Sequence, residues 1–110
     1  MPANGWRIMW VIAVYDCPMT NKGERRDYTI FRKRLLRSCY FQLQNSLYVK
    51  HFPTKALAEG SIHRLKNFIP KGAKVSFFLV TDKQYSMTTE FFGPEPKKQR
   101  PDAPKQITLF

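Results

Sequence analysis

The stretch "VIAVYDCPMTNKGERR", residues 11–26, leads from an apolar segment through a loop into a basic helix. Residues 8–14 are apolar at every position, which predicts a central β-strand covered on both faces. Pro18, Asn21 and Gly23 then indicate a loop. Asp16, the first carboxylate of the chain, lies directly after this strand, where α/β proteins often gather functional groups.

The remaining sequence alternates helical and extended patterns. Apolar residues at helical spacing predict a first helix over residues 24–39, and its apolar face is formed by Tyr28, Phe31, Leu35 and Cys39. A second helix is predicted between Thr54, a candidate N-cap, and Pro70. The later strand segments are residues 41–44 and 47–49, which form one bent strand or two short ones, then 75–81, and a short candidate at 90–93.

This order of elements predicts an α+β protein with a ferredoxin-like βαββαβ sandwich, in which one sheet carries both helices on one face. Residues 1–93 form the predicted domain. Residues 94–110 form a basic, proline-rich tail, which behaves as an extended linker until it ends in the apolar "QITLF".

The charge of the chain indicates a polyanionic partner. The 110 residues include 19 Lys and Arg against 8 Asp and Glu, a formal net charge of +11. Nucleic acid is favoured over a membrane surface, because the cations are spread along the chain rather than gathered beside an apolar anchor. With no apolar run long enough to span a bilayer and no signal peptide, we expect a cytoplasmic protein that does not bind membranes. Cys17 and Cys39 are then expected to be reduced.

Asp16 has two interpretations. It is either an Asx-turn residue completed by Pro18, or a ligand for a hard metal such as Mg²⁺. One carboxylate does not hold magnesium alone, because the ion keeps its waters unless further carboxylates or phosphates converge on it. A two-fold dimer axis near Asp16 would supply the second carboxylate from a partner chain.

The first helix carries more cations than its acidic residues offset. They are either an ordinary solvated face or, as we predict, contacts for phosphate groups. The predicted nucleic-acid-binding residues are Arg25, Arg26, Arg32, Lys33 and Arg37. Tyr15, Phe41 and Tyr48 are either core residues or surfaces on which bases stack.

Three segments together resemble a known family. "VYDCP" after the first strand, "ERRDYTIFRKRLL" on the first helix and "FQLQNSLYV" after it are similar to CRISPR-associated protein 2, in the variety found in type II systems. The resemblance covers most of residues 8–92. It implies a ferredoxin-like homodimer that pairs with the integrase subunit, CRISPR-associated protein 1, and bridges integrase dimers across DNA during spacer acquisition.

The resemblance also implies an activity. Family members are described as metal-dependent endonucleases acting on RNA or DNA, with Mg²⁺ at the aspartate that ends the first strand. Here that residue is Asp16, with one copy from each chain, and Tyr15 occupies the supporting aromatic position before it. The resemblance therefore favours an enzyme, although one carboxylate per chain predicts slow turnover, so that nucleic-acid binding ranks above catalysis as the physiological role.

The tail offers an alternative function as an interaction module. "QITLF" resembles the Gln-x-x-Leu-Phe pentapeptide by which bacterial proteins bind the sliding clamp, with Ile107, Leu109 and Phe110 as the docking residues. Ile107 and Leu109 also alternate, so the tail could instead add an edge strand to its own dimer or to the integrase. A disordered end is the third interpretation.

Overall fold

The computed structural model describes residues 8–94. In chain order, the elements are β1 (Met9–Asp16), α1 (Lys22–Arg37), β2 (Phe41–Gln44), β3 (Leu47–Phe52), α2 (Lys55–Leu65) followed by a 3-10 turn (Lys66–Phe68), β4 (Lys74–Thr81) and α3 (Asp82–Ser86). Residues 45 and 46 form a tight turn, so the second extended segment is two strands rather than one bent strand.

The sheet has the strand order β2-β3-β1-β4, and every neighbouring pair is antiparallel. Each β-α-β unit encloses a strand of the other unit, because β3 lies between β1 and β2 while β1 lies between β3 and β4. This is the split arrangement of the ferredoxin-like fold, and the predicted fold class is confirmed.

The core lies on one face of the sheet. Alternate residues of β1 point the same way, and Val11, Ala13 and Tyr15 are all buried there. Both helices contribute to the same cluster, α1 through Phe31 and Leu35 and α2 through Ala58 and Leu65. The prediction that one sheet face carries both helices is therefore confirmed.

The helices begin at side-chain caps. Asn21 accepts a hydrogen bond from the Glu24 backbone N–H at 2.8 Å, and Thr54, the predicted N-cap, accepts one from the Leu57 N–H at 3.2 Å. The sequence reading missed α3, although Thr81 and Gln84 form a capping box at its start. That T-x-x-Q spacing was the available signal.

The helical spacing predicted that Cys39 lies on the apolar face of α1, and this prediction is wrong. The helix ends at Arg37, and Cys39 is exposed in a left-handed conformation with φ 67°. This turn places Tyr40 in the core instead, where its hydroxyl and that of Ser61 form a buried hydrogen bond of 2.9 Å.

Two further predictions hold only in part or fail within the described chain. The second face of β1 is covered in part, since Ile12 and Val14 are half-buried there and Trp10 stacks on Tyr85 of α3. Residues 90–93 form no strand, and Phe91 among them is 90 % exposed. A strand needs a hydrogen-bonding partner, and none of residues 8–94 provides one for this segment. No helix within this part of the chain is long and apolar enough to cross a membrane.

Candidate nucleic-acid and metal site

Asp16 lies on the sheet face opposite the helices. It follows Trp10, Ile12 and Val14 at alternate positions of β1, and residues directly opposite one another in a ladder point to the same side. We call this side the open face. Its members are Trp10, Ile12, Val14 and Asp16 of β1, their β4 partners Val80, Phe78, Ser76 and Lys74, and the β3 residues Leu47, Val49 and His51.

The open face is largely apolar and partly exposed. Phe78, at its centre opposite Ile12, leaves 53 % of its surface accessible. The two longer helices, α1 and α2, pack on the other side of the sheet, and α3 covers the Trp10 end of this face, where Tyr85 stacks on Trp10. The exposed Asp16 carboxylate stands at one end of this apolar surface.

Lys74 is the register partner of Asp16 and is a candidate site residue that the sequence alone did not indicate. The two residues face each other at the end of the β1–β4 ladder, and both are exposed. Directly opposed residues of an antiparallel pair have Cα atoms about 4.5–5.5 Å apart, so a cation adjoins the carboxylate. Only strand register reveals this pair, since 58 positions separate the residues in sequence.

The chain neighbours of Asp16 do not serve as general bases. Burial and the nearby charge of Asp16 raise the pKa of the Cys17 thiol, which keeps it protonated at neutral pH. Burial also raises the pKa of Tyr15, whose side chain is only 3 % exposed. Its ring packs edge-on against Phe31 and stacks on Tyr48. Tyr15 is thus a core residue that fixes the end of β1 from below, and it offers no surface to a base.

One chain supplies only part of a metal site. Among residues 8–94, no three His, Cys, Asp or Glu side chains come together in a group that could hold a metal ion. Asp16 is exposed and unobstructed, so its carboxylate fits Mg²⁺ as one ligand but requires further oxygen atoms from outside the chain.

The cations of α1 divide into two groups. Arg26, Lys33 and Arg37 are exposed, lie at i, i+7 and i+11, and therefore share one side of the helix. Lys22 extends the same row at i−4, which the sequence reading did not include. These four residues, Lys22, Arg26, Lys33 and Arg37, are called the basic stripe below. Over 15 residues at 1.5 Å each, the stripe is about 22 Å long.

The other cations of α1 contact the protein itself. Arg25 is exposed but donates to the Met19 carbonyl at 3.3 Å, and Arg32 is half-buried and donates to Gln42 Oε1 at 3.3 Å. Arg34 lies 3.9 Å above the Phe68 ring. Arg32 therefore joins α1 to β2, and it is a weaker candidate for phosphate binding than the basic stripe.

Acidic residues offset little of this charge. Glu24 accepts hydrogen bonds from the Thr20 hydroxyl and from the Thr20 N–H at 2.8 Å, and these bonds lower its pKa. Its carboxylate is thus held at the first turn of α1, away from Lys33 and Arg37. Of the predicted stacking residues, Tyr48 is buried and only Phe41, which is 53 % exposed, offers an accessible ring. Ile107, Leu109 and Phe110 lie outside the described residues.

Comparison with solved structures first defines the fold class of this chain. The chain is a ferredoxin-like protein with the architecture of Cas2 crystal structures. Streptococcus pyogenes Cas2, solved at pH 6.5, aligns with a TM-score of 0.59 and 24 % identity over 76 % of this chain and 99 % of its own. A second Cas2 crystal structure aligns with a TM-score of 0.58 and 22 % identity over 84 % of this chain and 95 % of its own. These alignments support the fold alone.

The sequence relationship identifies the family. The family model for CRISPR associated protein Cas2 matches residues 9–88. A CRISPR-associated endoribonuclease Cas2 from Paracidovorax avenae is 33 % identical over 96 % of this chain and 97 % of its own length. A protein of the same name from Flavobacterium psychrophilum is 32 % identical over 97 % of this chain and 92 % of its own length. The chain belongs to the CRISPR-associated Cas2 family.

Proposed function

We propose that this protein acts in CRISPR spacer acquisition as a homodimer that binds nucleic acid and cleaves it with the help of Mg²⁺. The observation that carries the proposal is the position of Asp16, an exposed carboxylate at the end of a partly exposed apolar sheet face. A second copy packed on the open face would bury Phe78 and could bring a second Asp16 near the first.

Magnesium, when bound, would polarise a phosphoryl oxygen and lower the pKa of a bound water. The residues of this chain have simpler roles. Asp16 would bind the ion, and Lys74 beside it would attract the phosphate group and orient it. The buried ring of Tyr15 would hold the strand end in place. Since neither Cys17 nor Tyr15 accepts a proton at neutral pH, slow turnover is expected.

The basic stripe supports binding to a phosphate backbone without favouring one sequence. The relatives are named endoribonucleases, which favours RNA as the cleaved substrate, whereas the family resemblance favours DNA for the scaffold role. We propose that DNA binding and bridging of the integrase subunit, CRISPR-associated protein 1, are the principal role. Catalysis is the secondary one.

The decisive experiment is the Asp16→Asn substitution. It removes the anionic ligand but keeps the size of the side chain, so cleavage of single-stranded RNA or duplex DNA in Mg²⁺ should be lost while binding and the dimer persist. Asp27→Asn on α1 is the matched control and should cleave as the unsubstituted protein does. Undiminished cleavage by purified Asp16→Asn protein would overturn the catalytic assignment.

The tail supports a second candidate function. The segment "QITLF" at residues 106–110 has the spacing of a sliding-clamp pentapeptide. We propose that Leu109 and Phe110 bind the clamp. A peptide of residues 101–110 should bind purified clamp, and the Leu109→Ala/Phe110→Ala peptide should not. Equal binding of both peptides, or of neither, would exclude this function.

A further inference from the structure

An aromatic ring and a cation are stacked on the helical side of the sheet, away from the open face. Phe68, in the 3-10 turn after α2, leaves 39 % of its surface accessible. The guanidinium of Arg34 on α1 lies over this ring, 3.9 Å from its centroid. We call these two residues the stacked pair. Because α1 and α2 pack on the side of the sheet opposite Asp16, a second copy on the open face would leave the stacked pair accessible.

The stacked pair is preformed and has unused binding capacity. Within residues 8–94 the Arg34 guanidinium makes no hydrogen bond or ion pair, so its donors are available to a ligand. Its contact with Phe68 fixes the plane of both groups, so that little side-chain freedom remains to be lost on binding. Ile30, one turn before Arg34 and 51 % exposed, adds apolar surface on the same side of α1. The result is a flat apolar surface edged by hydrogen-bond donors.

The surroundings of the stacked pair are positive. Arg34 is three residues before Arg37, so it lies on the flank of the basic stripe, with the two Cβ atoms about 5–6 Å apart. The acidic residues of α1, Glu24 and Asp27, are ten and seven residues before Arg34, which is at least about 10 Å along the helix axis. On the other side, no acidic residue occurs in positions 60–81, which contain Phe68 and four Lys and Arg residues. This environment favours an anionic ligand.

A flat apolar surface beside phosphate-binding cations matches a nucleotide with an unpaired base. In a duplex, both faces of each base are covered by its neighbours, so an exposed protein ring has no base to contact. In a single strand the bases can turn outward and stack on aromatic rings and on guanidinium planes. The stacked pair offers both kinds of surface.

We propose that the stacked pair binds an unpaired base of a nucleic acid whose phosphates lie along the basic stripe. The proposal rests on the nucleic-acid binding proposed above and adds the class of substrate, namely strands with unpaired bases. Such a strand binds through both charge and stacking, whereas a fully paired duplex binds this side of the protein through charge alone. The base lies against Phe68 and Arg34, and the adjoining phosphate lies beside Arg37.

The first test compares a labelled DNA single strand with the duplex of the same sequence, by fluorescence anisotropy in EDTA to prevent cleavage. Phe68→Leu should lower the affinity for the single strand at least fivefold, because base–aromatic stacking contributes this much or more per base. The same variant should leave the affinity for the duplex unchanged. Arg34→Lys keeps the charge without the planar guanidinium, so it should also weaken binding of the single strand only.

Phe41→Leu is the matched control for this comparison, because it removes a ring of 53 % exposure from β2. It should change neither affinity. Unchanged single-strand affinity in Phe68→Leu would overturn the proposal. An equal loss for single strand and duplex would overturn it as well, since Phe68 would then not distinguish unpaired bases.

The second test locates the base in the unsubstituted protein. A single strand containing 5-bromouracil is irradiated in the complex, and the crosslinked tryptic peptides are identified by mass spectrometry. Cleavage after Lys and Arg releases Phe68 in the peptide of residues 67–71 and Phe41 in the peptide of residues 38–50. The crosslink should lie on Phe68 and should be lost in Phe68→Leu. A crosslink chiefly within residues 38–50 would overturn the proposal.

The basic stripe provides the comparison that separates this inference from the proposed function. Arg26→Gln with Lys33→Gln removes phosphate contacts and should weaken binding of single strand and duplex alike. If that variant lost affinity while Phe68→Leu did not, nucleic-acid binding by α1 would stand and the stacking site would fall. If only Phe68→Leu lost affinity, the stacked pair would stand and the role of the basic stripe would fall.

Discussion

Asp16 on β1 and Lys74 on β4 are directly opposite each other at the end of an eight-residue antiparallel ladder. Both side chains point to the open face and both are exposed. A carboxylate and an ammonium group placed together in this way favour opposite ligands, since the first attracts a cation and the second a phosphate.

This pairing predicts that Lys74→Ala strengthens Mg²⁺ binding and weakens nucleic-acid binding. Loss of the ammonium charge should lower the Mg²⁺ concentration for half-maximal cleavage severalfold, because the ion no longer meets a like charge beside Asp16. The same substitution should raise KM for nucleic acid. Lys71→Ala, in the turn before β4, is the control and should change neither value. If KM were unchanged in Lys74→Ala, the residue would not contact the substrate.

The basic stripe predicts a change in salt dependence. Arg26→Gln with Lys33→Gln should weaken DNA binding and reduce the slope of log affinity against log salt by about 1.4–1.8, since each lost phosphate contact contributes about 0.7–0.9. Fluorescence anisotropy at four salt concentrations measures this slope. Lys55→Gln with Lys66→Gln removes the same charge from exposed positions at the two ends of α2. An equal loss in both double variants would mean that only net charge matters.

The open face predicts the behaviour of the dimer. Phe78→Ser should shift sedimentation from dimer to monomer, because Phe78 would lie at the centre of the buried surface. Leu57→Ser on α2 removes a side chain of the same 53 % exposure from the helical side and should leave the dimer intact. A stable Phe78→Ser dimer would place the two-fold axis elsewhere and would separate the two Asp16 carboxylates.

The cap of α1 predicts a pH-dependent stability. The pKa of Glu24 is lowered in the folded state, so its ionised form stabilises the fold above its ordinary value near 4.5. This contribution is lost as the pH falls through the lowered folded-state value. Glu24→Gln should therefore reduce the Tm at pH 7, and the difference from the unsubstituted protein should shrink as the pH falls through the lowered pKa of Glu24. Glu59→Gln, an exposed carboxylate on α2, should show no such trend.

The buried hydrogen bond between Tyr40 and Ser61 predicts non-additive stability. Tyr40→Phe or Ser61→Ala alone leaves one hydroxyl buried without its partner and should cost about 1–3 kcal/mol. The double variant should cost less than the sum of the two, because no unpaired hydroxyl remains. Urea unfolding of the four proteins measures the coupling. Strict additivity would show that the hydroxyl groups do not interact.

The local features of this fold follow from its sequence. Consecutive apolar residues before Asp16 predicted β1, the spacing of Phe31 and Leu35 predicted α1, and Thr54 predicted the start of α2. These signals depend on residues within one or two turns of each other, so the chain encodes them locally. The helix was predicted to reach Cys39 because Cys39 follows Leu35 by four residues, the spacing of one helical face. The chain leaves the helix after Arg37, and Cys39 adopts a left-handed conformation.

Tertiary structure decided what depends on register and on side-chain burial. The sequence identified Asp16 but could not pair it with Lys74, because strand order and register are set by packing between distant segments. It counted five cations of the first helix as equivalent, whereas the contacts of Arg25 and Arg32 separate them from the solvent-facing basic stripe. The apolar residues of β1 determined that the strand is central. Only the packing of α1 and α2 on one side determined that its other face remains partly exposed, with Asp16 at its end.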